Sequence, residues 1–177
     1  MSKIEPAADS ENIFEHHDKL FEKIGLAATP IELGDKKPLV SGWTKHRTLA
    51  PAPRQQLRQK YPKASIGLLA GTALSNGNLF GFLDCDHQGF TEFFCRLVEP
   101  VSGKIGQKGI TIFCQFTGGT KSKKVRQKGA KAPVAELMVS SGMTVIPPSP
   151  HPSGVRYRWH GKPLHEIDPC ALPLLDE

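Results

Sequence analysis

The chain has 177 residues, 38% hydrophobic and 23% charged, with a formal net charge of +6. This composition excludes a disordered or membrane-spanning chain, and the length suits one domain with a substantial core. The longest apolar stretches, around Ile66–Ala70 and Leu79–Leu83, fall far short of a bilayer span. The opening Met1-Ser2-Lys3-Ile4-Glu5-Pro6 lacks the plan of a signal peptide, so the expected location is the cytoplasm. Cys85, Cys95, Cys114 and Cys170 make no CxxC pair, which argues against zinc binding or a disulfide framework; most are read as small core residues.

Residues 1–10 read as a flexible start and 11–177 as one domain. Ile13, Phe14, Leu20, Phe21 and Ile24 fall at helical intervals, with Gly25 as a stop. His16 and His17 lie in that helix, about 100° apart around its axis, and are read as surface residues. Ile31-Glu32-Leu33 alternates like a short strand before the turn Gly34–Pro38, and Pro51–Tyr61 reads as an exposed helix. Ile66–Ala70 and Leu79–Leu83 are expected to pair as a hairpin around Asn76-Gly77. Phe90, Phe93, Phe94, Leu97 and Val98 make a helical stripe, read as core. Strands follow at Ile110–Phe116, Val134–Val139, Met143–Ile146 and Val155–Trp159, with a loop or short docked element at Pro169–Leu175. The order gives an α+β domain with a mainly antiparallel or mixed sheet, since the second half lacks the helices a parallel sheet would need.

The chemistry centres on Leu83-Asp84-Cys85-Asp86. On a strand, residues i and i+2 share a face, so Asp84 and Asp86 converge, and two close carboxylates repel unless something positive sits between them. Hard oxygen ligands of this kind suit Mg2+ or Mn2+. The competing reading is an Asp-Cys-Asp turn capping the next helix. Glu136 sits alone in an apolar run: it either faces solvent or, on a strand beside Asp84, completes a three-acid cluster. Lys121, Lys123, Lys124, Arg126, Lys128 and Lys131 fall within eleven positions with no acid among them. That run is either a solvated loop or a contact to a phosphate backbone. The stretch Pro147-Pro148-Ser149-Pro150-His151-Pro152-Ser153-Gly154 forms a stiff loop that presents Ser149 and His151 to a phosphate or sugar, or else a structural turn with an incidental histidine. Arg156, Arg158 and Trp159 add cations and a stacking surface.

Together these segments resemble one family. Gly34-Asp35-Lys36-Lys37-Pro38-Leu39-Val40-Ser41-Gly42-Trp43 is similar to the G-x-K-x-P-x-x-x-x-W entry of the bifunctional DNA primase/polymerase (Prim-Pol) family, within the archaeo-eukaryotic primase superfamily. Ala64–Gly71 followed by Asp84-Cys85-Asp86 resembles its NIG-x-x-x-G … DxD stretch, and Pro147–Gly154 with Tyr157 and Trp159 its PPS-x-HP-x-G-x-x-Y-x-W segment. Ala171-Leu172-Pro173-Leu174-Leu175 is similar to its leucine-proline close. The matches run in order from about residue 30 to the end.

The resemblance implies an RRM-like palm packed with a smaller α/β module, and a template-dependent primase/polymerase serving a phage, plasmid or other mobile element. It implies Asp84, Asp86 and Glu136 as ligands of Mg2+ or Mn2+ in two-metal nucleotidyl transfer, single-stranded DNA as template and NTP or dNTP as substrate. Lys108, Thr111, Ser149 and His151 are the expected nucleotide contacts, and Lys121, Lys123, Lys124, Arg126 and Lys128 the expected DNA contacts. Many members carry a phosphate-binding histidine on the strand after the DxD. Here Gly109-Ile110-Thr111-Ile112-Phe113 has none, with Ile110 or Thr111 at that place and Lys108 beside it. No nucleotide-hydrolysing P-loop occurs in these residues, and the resemblance implies a replicative helicase as a fused domain or separate partner. Two other functions compete: a non-catalytic DNA-binding or replication-initiator module, and a metal-dependent nuclease using the same acids on water.

Overall fold

The computed structural model describes residues 12–175, so the expected flexible start at 1–10 lies outside the described residues. The elements run α1 (Ile13–Lys23), β1 (Ala28–Ile31), α2 (Pro51–Lys60), β2 (Ser65–Leu69), β3 (Thr72–Ala73), β4 (Leu79–Cys85) and α3 (Gln88–Val98). They continue with β5 (Ser102–Ile105), β6 (Ile110–Phe116), β7 (Lys123–Val125), β8 (Ala135–Met138), β9 (Met143–Val145), β10 (Arg158–Gly161) and β11 (Leu174–Leu175).

Two sheets result. The smaller has the order β1-β2-β9 and the larger β10-β5-β6-β4-β8-β7, with β3 added to β4 and β11 to β6. Every pairing is antiparallel except β11 with β6. The mixed α+β character expected from the sequence is what the chain adopts: a large antiparallel palm sheet packed with a small sheet that carries α1 and α2.

The alternation of β4 explains the layering. Phe80 and Phe82 point toward the small sheet, where they join Phe14, Phe21, Ile66, Leu68 and Phe113 in one buried cluster. Leu83 and Cys85 point the other way, into a second cluster with Ile110, Ile112 and the α3 residues Phe94 and Val98. On the small module, Asp18 of α1 is fully buried and receives Arg54 Nη2 at 2.7 Å and Arg58 Nε, both from α2. α1 ends as its spacing predicts: Gly25 has φ 77°, and Leu26 N–H donates back to Phe21 O at 2.9 Å.

Several elements differ from expectation. The first strand lies at Ala28–Ile31, upstream of Ile31–Leu33, and Leu33 is exposed. The expected hairpin does not form, because β2 and β4 belong to different sheets. Gly71, at φ 83° and with Ser140 carbonyl oxygen 3.0 Å from where a Cβ would stand, lets the chain cross between them. The hairpin partner of β4 is the two-residue β3. The α3 stripe is only partly core: Phe94 and Val98 are buried, but Phe93 is 56% and Leu97 66% exposed. β5, with the sequence Ser-Gly-Lys-Ile, offers no apolar alternation to read, and β7 lies inside the basic run read as a solvated loop or a phosphate contact. The strand expected at Val155–Trp159 starts later, at Arg158. None of the described helices is long and apolar enough to cross a membrane.

Candidate active site

Asp84 follows Phe80 and Phe82 on the same face of β4, at the point where the packing between the two sheets gives way to a cleft. Directly opposed residues of antiparallel strands share a face, so a row can be followed across the palm. Trp159 pairs with Lys104, Lys104 with Thr111, Thr111 with Asp84, Asp84 with Glu136, and Glu136 with Lys124. Five pairings at single register positions thus set an indole, a cation, a hydroxyl, two acids and a second cation side by side.

Asp84 and Asp86 line one cavity of about 190 Å³, together with Lys36, Lys104 and Lys108. Thr111, His151 and Tyr157 complete the functional part of its wall. Lys36 comes from the turn after β1, Lys108 from the β5–β6 turn, and His151 and Tyr157 from the proline loop. The β5–β6 turn lies against the end of β4, and Gly109 is what allows it. At φ 70°, a Cβ there would stand 1.9 Å from the carbonyl oxygen of Cys85.

Burial raises the Asp84 carboxyl above the usual range, and the charge of Asp86 adds to it. The Thr111 hydroxyl, which donates to Asp84 Oδ1, and the charge of Lys104 pull the other way. Lys104 is 8% exposed, and its ammonium lies 4.3 Å from the centroid of the Tyr157 ring. Its burial lowers the ammonium to about 8 despite the attraction of Asp84. Burial pushes the Tyr157 phenol up to about 12, and its buried hydroxyl makes no hydrogen bond. His151 stacks edge-on against Tyr157 at 5.1 Å. Its Nδ1 accepts from Ser153 N–H at 3.0 Å, which leaves the proton of the neutral ring on Nε2. Burial first, then the charges of Lys36 and Lys104, hold this imidazole below its ordinary value.

The expected site residues therefore divide. Asp84, Asp86, Lys108, Thr111 and His151 meet at the cavity. Glu136 is adjacent in register but its carboxylate is engaged by Lys124, with Nζ 3.1 Å from Oε1. Among the described residues no three acids, histidines or cysteines gather as a metal-holding group, so the expected three-acid cluster is not assembled. β7, unforeseen as a strand, sets Lys124 directly opposite Glu136. Ser149 is fully buried away from the cavity, and its Oγ accepts Ile66 N–H at 3.1 Å, tying the proline loop to β2. Lys121, Arg126 and Lys128 flank β7 and Lys123 lies on it, all exposed. Sequence reasoning missed Lys104, Lys36 and Tyr157 as site residues. The last two stand inside the motifs that carry the resemblance, but nothing around Lys104 marks it out.

The family of bifunctional DNA primase/polymerase N-terminal domains has a model that matches residues 18–174. No curated protein gives a match of significance. The matched span takes in both sheets and every residue of the cavity. By that span the chain belongs to the bifunctional DNA primase/polymerase N-terminal domain family, whose membership implies nucleotidyltransferase activity on DNA and nucleotide substrates.

Proposed function

We propose that the chain catalyses template-dependent nucleotidyl transfer on single-stranded DNA, with the nucleoside triphosphate seated in the cavity that Asp84 and Asp86 share with Lys36, Lys104 and Lys108. The observation that carries this reading is that juxtaposition: two carboxylates and three lysines on one cavity. Three cations facing two acids leave an excess of positive charge suited to a polyphosphate.

The donor chemistry fits Mg2+ or Mn2+ at Asp84 and Asp86, because both offer hard oxygens and the Asp84 carboxylate is raised by burial and by its neighbour's charge. Such an ion, when bound, supplies charge stabilisation at the transferring phosphate and activates the attacking 3′-hydroxyl. Glu136 would join only after exchanging Lys124. The chain's own groups hold the rest. Thr111 fixes the orientation of Asp84 through its hydroxyl, leaving Asp84 Oδ2 outside that bond. Lys104, at the register position beside Thr111, supplies positive charge where the expected histidine is absent. Tyr157 packs under Lys104 and limits its movement, and the neutral His151 presents Nε2–H as a donor.

The nuclease reading uses the same acids on water and gives the three lysines no triphosphate to hold. The binding-module reading gives the two acids no metal to hold, and carboxylates on a phosphate-binding surface repel the backbone. A helicase, fused or separate, would supply the unwound template in the replication of a phage, plasmid or other mobile element. The test is incubation with primed and unprimed single-stranded templates, labelled nucleotides and Mg2+ or Mn2+. Extension by the wild type and none by Asp84→Ala or Asp86→Ala is the expected outcome. DNA binding without synthesis by the wild type would favour the binding module, and template shortening the nuclease.

A further inference from the structure

The palm sheet has a second working face. Opposite the acids it is covered by α3, and between α3 and β7 lies an apolar groove of about 480 Å³. Leu83, Leu137 and Val134 line it from the sheet side, Phe93 and Leu97 from α3, and Val125 from β7. Phe93 and Leu97 are one helical turn apart and are 56% and 66% exposed, large apolar side chains that a soluble surface ordinarily shields. Arg126 also lines the groove, and Lys123 shares the strand face of Val125 by alternation. Lys121, Lys128 and Lys131 are exposed in the same segment, and residues 121–131 contain no acid. On α3 the exposed Glu92 is paired with Arg96 at 2.5 Å, so the helix wall does not offset that charge.

We propose that this groove binds an acidic peptide segment with apolar anchors, carried by a partner protein. The lining selects aliphatic or aromatic side chains and the rim selects carboxylates between them, the pattern of an amphipathic peptide laid into a groove. Charge complementarity favours this occupant over the two rivals. A second copy would bring the same basic rim against this one. A nucleic acid strand would find the cations it needs at the rim but only Arg126 among the lining, where phosphates would meet leucine, valine and phenylalanine. The inference is independent of the chemistry proposed for the opposite face.

The test is fluorescence anisotropy with a synthetic, labelled peptide in which Asp and Glu alternate with Phe and Leu, titrated with the full chain. Two control peptides replace the acids by Asn and Gln, or the anchors by Ser. Saturable binding that weakens about tenfold or more in Leu97→Asp and in Arg126→Glu is expected, as for loss of a central contact. Both positions are exposed, and circular dichroism melts establish that the variants fold. Equal binding of either control peptide, no saturation, or indifference to both substitutions overturns the proposal. So does oligodeoxythymidine binding that Leu97→Asp weakens as much as it weakens the peptide, which would make the apolar groove itself a nucleic-acid site. A dimer in sedimentation that Leu97→Asp dissolves would assign the groove to a second copy instead.

Discussion

Lys104 shows how a single side chain can be placed against its own stability. Its ammonium is desolvated in the cleft, and its titration falls from 10.5 in the open chain to about 8. Between those values the unfolded chain binds more protons than the folded one, so the folded state gains stability as pH rises from about 8 toward 10.5. Below pH 8 the full penalty of the buried charge applies. Lys104→Met should therefore raise the urea midpoint at pH 7, by an advantage that shrinks toward pH 10.5, while nucleotide binding is lost. A lower midpoint at pH 7 would show that the ammonium is held for stability instead. Asp84 and Asp86 were legible from their spacing because strand alternation is a local rule. Lys104 was not, since its meaning depends on pairing with Thr111 across a hairpin whose first strand carries no apolar signal.

Elements repeat the contrast. α1 follows from periodicity and its terminal glycine and α2 from a polar run around Leu57, and their mutual packing rests on the buried contact of Asp18 with Arg54 and Arg58. Arg54 reaches further, with Nη2 donating to the carbonyl of Leu26 at 2.9 Å, so the two helices and the entry to β1 share one network. Asp18→Ala strands two largely buried guanidinium groups, and should destabilise the chain by about 3–5 kcal/mol in urea denaturation. A loss below about 1 kcal/mol would mean that Glu22 and water replace the partner. No such local logic announces β7. Two of its three residues are lysines, a composition that reads as a loop, yet charged residues are what protect an exposed sheet edge from pairing with another chain. That edge role and the position of Lys124 opposite Glu136 come from the same three residues.

Across the whole molecule, the sequence revealed the order of the motifs but not the topology that assembles them. The hairpin expected between β2 and β4 was the natural reading of two apolar runs around Asn76-Gly77, and it failed because the chain changes sheets at Gly71. The charge of +6 and its concentration in residues 121–131 are likewise visible in the sequence, while the strand β7 within that run is not. Binding to a single-stranded oligonucleotide should fall steeply with salt. The double variant Lys121→Glu and Lys128→Glu should reduce the log–log slope by about 1.4, two phosphate contacts at about 0.7 each. An unchanged slope would remove these two residues from the DNA path.

The row from Trp159 through Lys104, Thr111, Asp84 and Glu136 to Lys124 also bears on how the molecule comes into being during synthesis. Its members are drawn from six strands and are contiguous only after those strands have paired. A nascent chain made through β6 contains Asp84 and Thr111, yet lacks Glu136, Lys124 and the Tyr157 ring that packs against Lys104. The cavity proposed for the nucleotide is therefore complete only with the proline loop in place and β10 paired to β5, and a truncated product carries the acids without the pocket.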